Sequence, residues 1–137
     1  MSRGSVGARM DVAEALARLT QDSSQVERAV VIDAGGSVLG STLEAADAAE
    51  ALAQAARDLV TAAGELRSGA DVTRVEVELA EGAIFVLREG DRTIAATTGA
   101  RPTAGLVAYD LRTCLHTIGE PAKPKRRATR KPKEGSR

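Results

Sequence analysis

VTRVEVELAEGAIFVLREGDRTIAATT, residues 72–98, is the stretch on which the fold turns. Val75, Val77 and Leu79 alternate with Arg74, Glu76 and Glu78, the period of two expected of a strand, Val72–Ala80, with one wet face. Glu81-Gly82 then turns the chain into Ala83–Arg88, where Ile84, Phe85, Val86 and Leu87 are apolar on both faces. Such a run predicts a central strand covered from both sides. Glu89-Gly90-Asp91 makes a second tight turn into Arg92–Thr98. Strands joined by turns this short pair antiparallel.

Upstream, VERAVVIDA (residues 26–34) has an apolar centre at Ala29–Ile32, and Asp33-Ala34-Gly35-Gly36 turns it back into SVLGST (residues 37–42). This is a second hairpin. Ahead of it, Asp11 and Glu14 have the spacing of a capping box, and Val12, Ala15, Leu16 and Leu19 recur at helical intervals as far as Asp22. Between the two strand groups, Ser41 and Glu44 offer another capping box, opening a helix over Glu44–Arg67 that Ser68-Gly69 stops. A last helix is expected at Thr103–Ile118, ended by Gly119 and Pro121. The order is α-β-β-α-β-β-β-α. Strands apolar on both sides need helices on both faces, so the expected fold class is α+β, a three-layer α/β/α sandwich around a five-stranded antiparallel sheet.

The chain has 137 residues, enough for one domain, and its formal charge of zero conceals a division. Residues 121–137 hold eight Lys/Arg and one acid, whereas residues 1–120 hold eleven Arg, no Lys and eighteen acids. The expected organisation is a flexible leader at 1–10, a folded body at 11–119 and a disordered basic tail at 120–137, because the tail has three prolines and no large apolar side chain. No run approaches the ~18 apolar residues of a membrane span, and MSRGSVGARM lacks the apolar stretch of a signal peptide. One cysteine makes no intramolecular disulfide and no Cys-rich zinc site. A cytoplasmic protein without cofactor or metal is expected.

Ten of the twenty-four residues of the long helix are Ala, so its faces differ little in size. At 100° per residue, Leu52, Leu59 and Leu66 align with Ala45, Ala48, Ala55 and Ala63, and this stripe is expected to face the sheet. A second stripe of Ala46, Ala49, Ala53, Val60 and Gly64 exceeds what one core needs. Small side chains let two backbones approach, so these five residues, with Val75 and Val77 of the alternating strand, are expected to form a dimer interface. The competing reading is that Ala is a good helix former and cheap to expose.

Signs of chemistry are few. Cys114 and His116 are close in sequence, but two residues apart on a helix lie about 200° apart. Cys114 falls with Val107, Leu111 and Leu115 as a buried structural residue; His116 points away with Tyr109 and Arg112 into solvent. Glu76 and Glu78 stand roughly 7 Å apart on one strand face, beside Arg74, as a solvated edge. Neither G-x-x-x-x-G-K-[ST] nor G-x-G-x-x-G occurs, and Gly35-Gly36 lacks the helix that a phosphate cradle requires. No catalytic residue, cofactor or small-molecule substrate is expected. Lys123, Lys125, Arg126, Arg127, Arg130, Lys131 and Lys133 of the tail are candidates to bind a polyanion, either nucleic acid or an anionic membrane surface. Against nucleic acid stand the scarcity of aromatic stacking residues and the acidic body.

The hairpin AVVIDAGGSVLGS (29–41), the Ala-rich middle helix, VEVELAEGAIFVLREG (75–90) and Gly105-Leu106-Val107-Ala108-Tyr109-Asp110-Leu111 together resemble the Roadblock/dynein-light-chain domain family, in particular its small stand-alone bacterial members. The resemblance covers about residues 11–118. It implies a Roadblock/profilin-like sheet with one helix on one face and two on the other, and dimerisation through the middle helix and the third strand. It also implies a non-enzymatic partner of a Ras-like small GTPase, working as a homodimer or as a heterodimer with another Roadblock-like protein. The alternative is a dimeric platform presenting two basic tails.

Overall fold

The computed structural model of the chain describes residues 11–66 and 72–118. Helix α1 (Val12–Asp22) begins on the expected capping box: Asp11 Oδ1 accepts from the Glu14 amide at 2.8 Å, and Glu14 Oε1 accepts from the Asp11 amide at 3.4 Å. Then come β1 (Val26–Ile32), β2 (Val38–Ser41), α2 (Ala46–Glu65), β3 (Arg74–Glu78), β4 (Gly82–Glu89), β5 (Arg92–Gly99) and α3 (Ala104–Thr117). The strands form one sheet in the order β2-β1-β5-β4-β3, with every neighbouring pair antiparallel. The two edges, β2 and β3, are consecutive in sequence. Helix α2 therefore carries the chain across the whole sheet.

Two helices cover one face and one covers the other. Leu16 and Leu19 of α1 and Val107 and Leu111 of α3 pack with Val31, Phe85, Leu87 and Ile94 of the sheet. On the opposite side, Ala53 and Ala56 of α2 pack with Val30, Ile32, Val86 and Ala95. Among the described residues, seventeen buried side chains make the first cluster and six the second, so α2 leaves its side of the sheet partly open. The architecture is the expected α+β sandwich.

Local details position these layers. Asp33 Oδ1 accepts from the amides of Gly35 and Ser37, both at 2.9 Å, and closes the β1–β2 turn. Gly90 has φ +62° at the first central position of the two-residue β4–β5 loop, where a type II′ hairpin needs a left-handed backbone. At Gly40 on β2, an added Cβ would collide with Val12, so glycine lets α1 lie against that edge.

Three expectations change. Helix α2 starts at Ala46 rather than Glu44, and Ala45 caps it without a side-chain bond. Ser41 still belongs to β2, and its hydroxyl accepts from the Leu43 amide at 2.8 Å instead of forming a capping box. The central strand is β5 rather than β4. Its small Ala95 and Ala96 fit beneath helices on both faces, while the buried Thr98 hydroxyl donates to the Gly99 carbonyl at 2.8 Å. The helix stops expected at Ser68-Gly69 and at Gly119 and Pro121, the leader and the basic tail lie outside the described residues.

Candidate functional site

On the sheet face under α2, cross-strand partners fall into rows. The middle row runs Val75, Val86, Ala95 and Val30. Toward the hairpin tips lies Arg88, Thr93 and Ile32; toward the other end lies Val77, Ile84, Thr97 and Arg28. Helix α2 covers Val86, Ala95 and Val30 of the middle row and Ile32, whereas Val75 at the row's end, Val77 and Ile84 stay half-buried.

The helix meets these rows with its smallest side chains. Ala53 and Ala56 have no exposed surface, Ala49 almost none, and Val60 packs on the same cluster. The expected interface stripe thus turns Ala49 and Ala53 to the chain's own sheet, where they keep no appreciable surface for a second subunit, while Val60 packs on the same cluster and stays half-buried. Ala46 is exposed in the first turn and Gly64 is half-buried near Val72. The physical reason is packing distance. Over a row of valines, alanines let the helix axis settle closely.

Of the stripe expected to face the sheet, Leu52 and Leu59 pack on the margin of that cluster, and with Ala55, Ala63 and Leu66 they form one flank of the helix. The first four are half-buried and Leu66 is 87% exposed. Their signal was in the sequence: Leu52, Leu59 and Leu66 recur every seven residues, the spacing of a seam between two helices. The flank lies on the side away from the hairpin tips, toward the row of Val77 and Ile84. Val77 belongs to β3, an edge strand bonded to β4 on one side only. A partly covered apolar helix flank therefore adjoins a strand edge with an unpaired backbone.

The opposite flank of α2 is polar. Asp47, Glu50, Asp58 and Glu65 are exposed along it. Arg57 at its margin donates to the Gly36 carbonyl and to the Glu50 and Gln54 side chains. Below Arg57, a cleft of about 420 Å³ opens between α2 and the two hairpin tips, with Asp33, Asp91, Arg88, Thr61 and Thr93 in its walls. Its two carboxylates and two guanidiniums balance, and none of these groups is a ready nucleophile.

The remaining candidates separate as the helical geometry requires. Cys114 is buried, and desolvation pushes its thiol from 9.0 up to about 11. His116 Nε2 lies 2.5 Å from Glu89 Oε1, and Arg112 Nε donates to Glu89 Oε2 at 3.0 Å. His116 is exposed, as the helical geometry predicts, but its contact with Glu89 has no signal in the sequence. The His116 contact chiefly holds the Glu89 carboxyl below its ordinary 4.5, with smaller help from Arg112. Glu76 pairs with Arg74 on the exposed side of β3. Lys123, Lys125, Arg126, Arg127, Arg130, Lys131 and Lys133 lie outside the described residues. Among the described residues, no helix is long and apolar enough to cross a membrane, and no three His, Cys, Asp or Glu cluster as metal ligands.

Known proteins share this arrangement. The family model of the Roadblock/LC7 domain matches residues 12–98. A Roadblock/LC7 domain from Streptomyces avermitilis superposes with TM-score 0.68 at 23% identity, covering 77% of this chain and 92% of that one. MglB from Myxococcus xanthus gives 0.63 at 17% identity over 83% and 86%. The gliding protein MglB of Thermus thermophilus gives 0.59 at 15% over 86% and 90%. No curated protein matches the chain. With the family's pattern running from the first helix through the fifth strand and its fold reproduced around them, the chain belongs to the Roadblock/LC7 domain family.

Proposed function

We propose that the protein is a non-enzymatic dimeric adaptor that binds a Ras-like small GTPase in the cytoplasm and biases its nucleotide switch. The observation that carries this reading is the leucine flank of α2: the exposed Leu66 and the half-buried Leu59 lie along it beside the open edge of β3. A second Roadblock-like chain covers that flank, with two α2 helices packed along the seven-residue leucine repeat and the β3 edges side by side. The polar flanks of the paired helices are then left for the partner. Membership of the Roadblock/LC7 family supports the reading, and so does an MglB structure described as having a tetrameric arrangement.

An adaptor of this kind acts by binding one switch conformation more tightly than another, not by supplying a chemical group. Cys114 suits no nucleophilic role, since burial keeps it a thiol at neutral pH. The test is to titrate the cell's Ras-like GTPases, loaded with GDP or a non-hydrolysable GTP analogue, against the dimer. One of them is expected to bind in one nucleotide state at least about tenfold more tightly than in the other. Equal affinity for both states, or binding to none, removes the reading.

A further inference from the structure

We propose that the cleft between α2 and the two hairpin tips binds a free aliphatic α-amino acid. At about 420 Å³ it falls within the size range of small-molecule sites, roughly 300–1,000 Å³. Its floor is apolar: Ile32 and Ala56 are buried there and Val60 is half-buried. The two hairpins turn at its mouth on Gly36 and Gly90, at φ +90° and +62°, which bring no side chain to fill it.

One polar group is set into that floor. Thr93 is only 9% exposed, and among the described residues its hydroxyl has no hydrogen-bond partner. Folded chains pair nearly all their buried polar groups, so a hydroxyl that opens only onto a cleft is placed for a ligand. Thr98, on the same strand and also buried, keeps to the general rule by donating to the Gly99 carbonyl at 2.8 Å.

The rim sets the charge of the ligand. Arg57 is divided between Gly36, Glu50 and Gln54, and Asp33 Oδ1 is taken by the amides of Gly35 and Ser37. Arg88 and Asp91 are exposed, and among the described residues neither side chain has an ion-pair or hydrogen-bond partner. One guanidinium and one carboxylate are therefore available. A phosphate entering the cleft meets the like charges of Asp33 and Asp91, and a simple cation meets those of Arg57 and Arg88. A zwitterion satisfies both signs: its carboxylate takes Arg88, its ammonium takes Asp91, and an aliphatic side chain lies on Ile32, Ala56 and Val60. The Thr93 hydroxyl, donor and acceptor alike, can bond either head group. The cleft lies on the side of α2 away from the leucine repeat, so a dimer formed through that repeat leaves it open. Binding depends on neither that dimer nor a GTPase.

Titration calorimetry of the full chain with L-valine, L-leucine and L-isoleucine is expected to give saturable binding with a Kd of about 1 mM or tighter. N-acetylation or amidation of the best of the three removes one charge each and is expected to weaken binding at least about tenfold. Arg88→Gln and Asp91→Asn, on exposed side chains that leave the melting transition intact, are expected to do the same. Thr93→Val keeps the shape without the hydroxyl and is expected to weaken binding several-fold. In the wild type, the Ile32 and Val60 methyl resonances are expected to shift on adding the ligand, which locates the site even where Thr93→Val fails to fold. The proposal is overturned by no saturable binding of the three up to about 10 mM, or by equal binding of the N-acetyl and amide forms. Indifference to Arg88→Gln and Asp91→Asn, or methyl shifts confined to another part of the fold, overturns it as well.

Discussion

Arg57, midway along α2, donates through Nη1 to the carbonyl of Gly36, twenty-one residues earlier at the tip of the first hairpin. Its other terminal nitrogen bonds Glu50 and Gln54 on the same helix. A single planar fork thus ties the helix that crosses the sheet to a turn at one end of it, and sets which flank of α2 faces the hairpin tips. Among the described residues it is the one side-chain hydrogen bond from α2 to a strand or hairpin. Replacing Arg57 with Ala should lower unfolding free energy by about 1–2 kcal/mol, measured by urea titration. Arg57→Lys should restore less than half, since one compact ammonium cannot span acceptors that the guanidinium reaches from two separate nitrogens. Full restoration by Lys would show that charge alone, and not the fork, holds the helix.

The orientation of α2 gives a second test. Ala53 is fully buried over the valine row, so Ala53→Glu forces a carboxylate into an apolar cluster, at a cost of about 3 kcal/mol or more. Loss of cooperative unfolding is expected, not a folded monomer. Leu66→Glu, on a side chain 87% exposed, should change the stability of the single chain by no more than about 0.5 kcal/mol. Combined with Ala55→Glu, on the same flank and outside the α2–sheet cluster, it should reduce the mass seen by light scattering to that of one chain. A well-folded monomer from Ala53→Glu would mean that the two stripes have been assigned the wrong way round.

The reason that this orientation escaped sequence reasoning is physical. Local signals were legible wherever a few neighbouring residues decide the outcome: the Asp11–Glu14 capping box, the alternation Arg74–Glu78, the apolar run in β4 and the Asp33 turn. Both stripes of α2 are apolar at helical spacing, and the periodicity cannot say which one faces inward. That choice depends on Val30, Val86 and Ala95, which lie on three strands and meet only after the sheet has formed. β5 stands in the centre although Thr93, Thr97 and Thr98 dilute its hydrophobicity, because its place is set by pairing with both β1 and β4. Glu89 and His116, twenty-seven residues apart, were invisible for the same reason.

That pair predicts a pH dependence. Glu89 has its carboxyl held below 4.5 in the folded chain by His116 and Arg112. A carboxyl with a depressed folded value stabilises the fold above its unfolded value, and the contribution is lost as pH falls through the folded one. Both side chains flanking Glu89 are substantially exposed, so the effect at neutral pH should stay under about 1 kcal/mol. Thermal melts of the wild type and Glu89→Gln should differ at pH 7 and converge below the carboxylate range. A difference that persists undiminished at pH 3 would point to packing instead of charge.

Cys114 supplies the last prediction, because burial alone both lifts its thiol to about 11 and closes the approach to it. At pH 8 the thiolate fraction is then about a hundredfold below that of an ordinary cysteine, and only the thiolate reacts with iodoacetamide. Native protein should therefore alkylate more than about a hundredfold more slowly than protein in urea, where the sulfur is both ionisable and open. The rate should track unfolding, falling further in any variant that stabilises the chain. Cys114→Ser should cost about 1 kcal/mol by placing a hydroxyl among Leu111, Leu115 and Ile118 of the same core, while leaving partner affinity unchanged. Rapid, stoichiometric labelling of the folded chain at pH 8 would instead mean that α1 and α3, which both border Cys114, move apart, and that the thiol is available for chemistry after all.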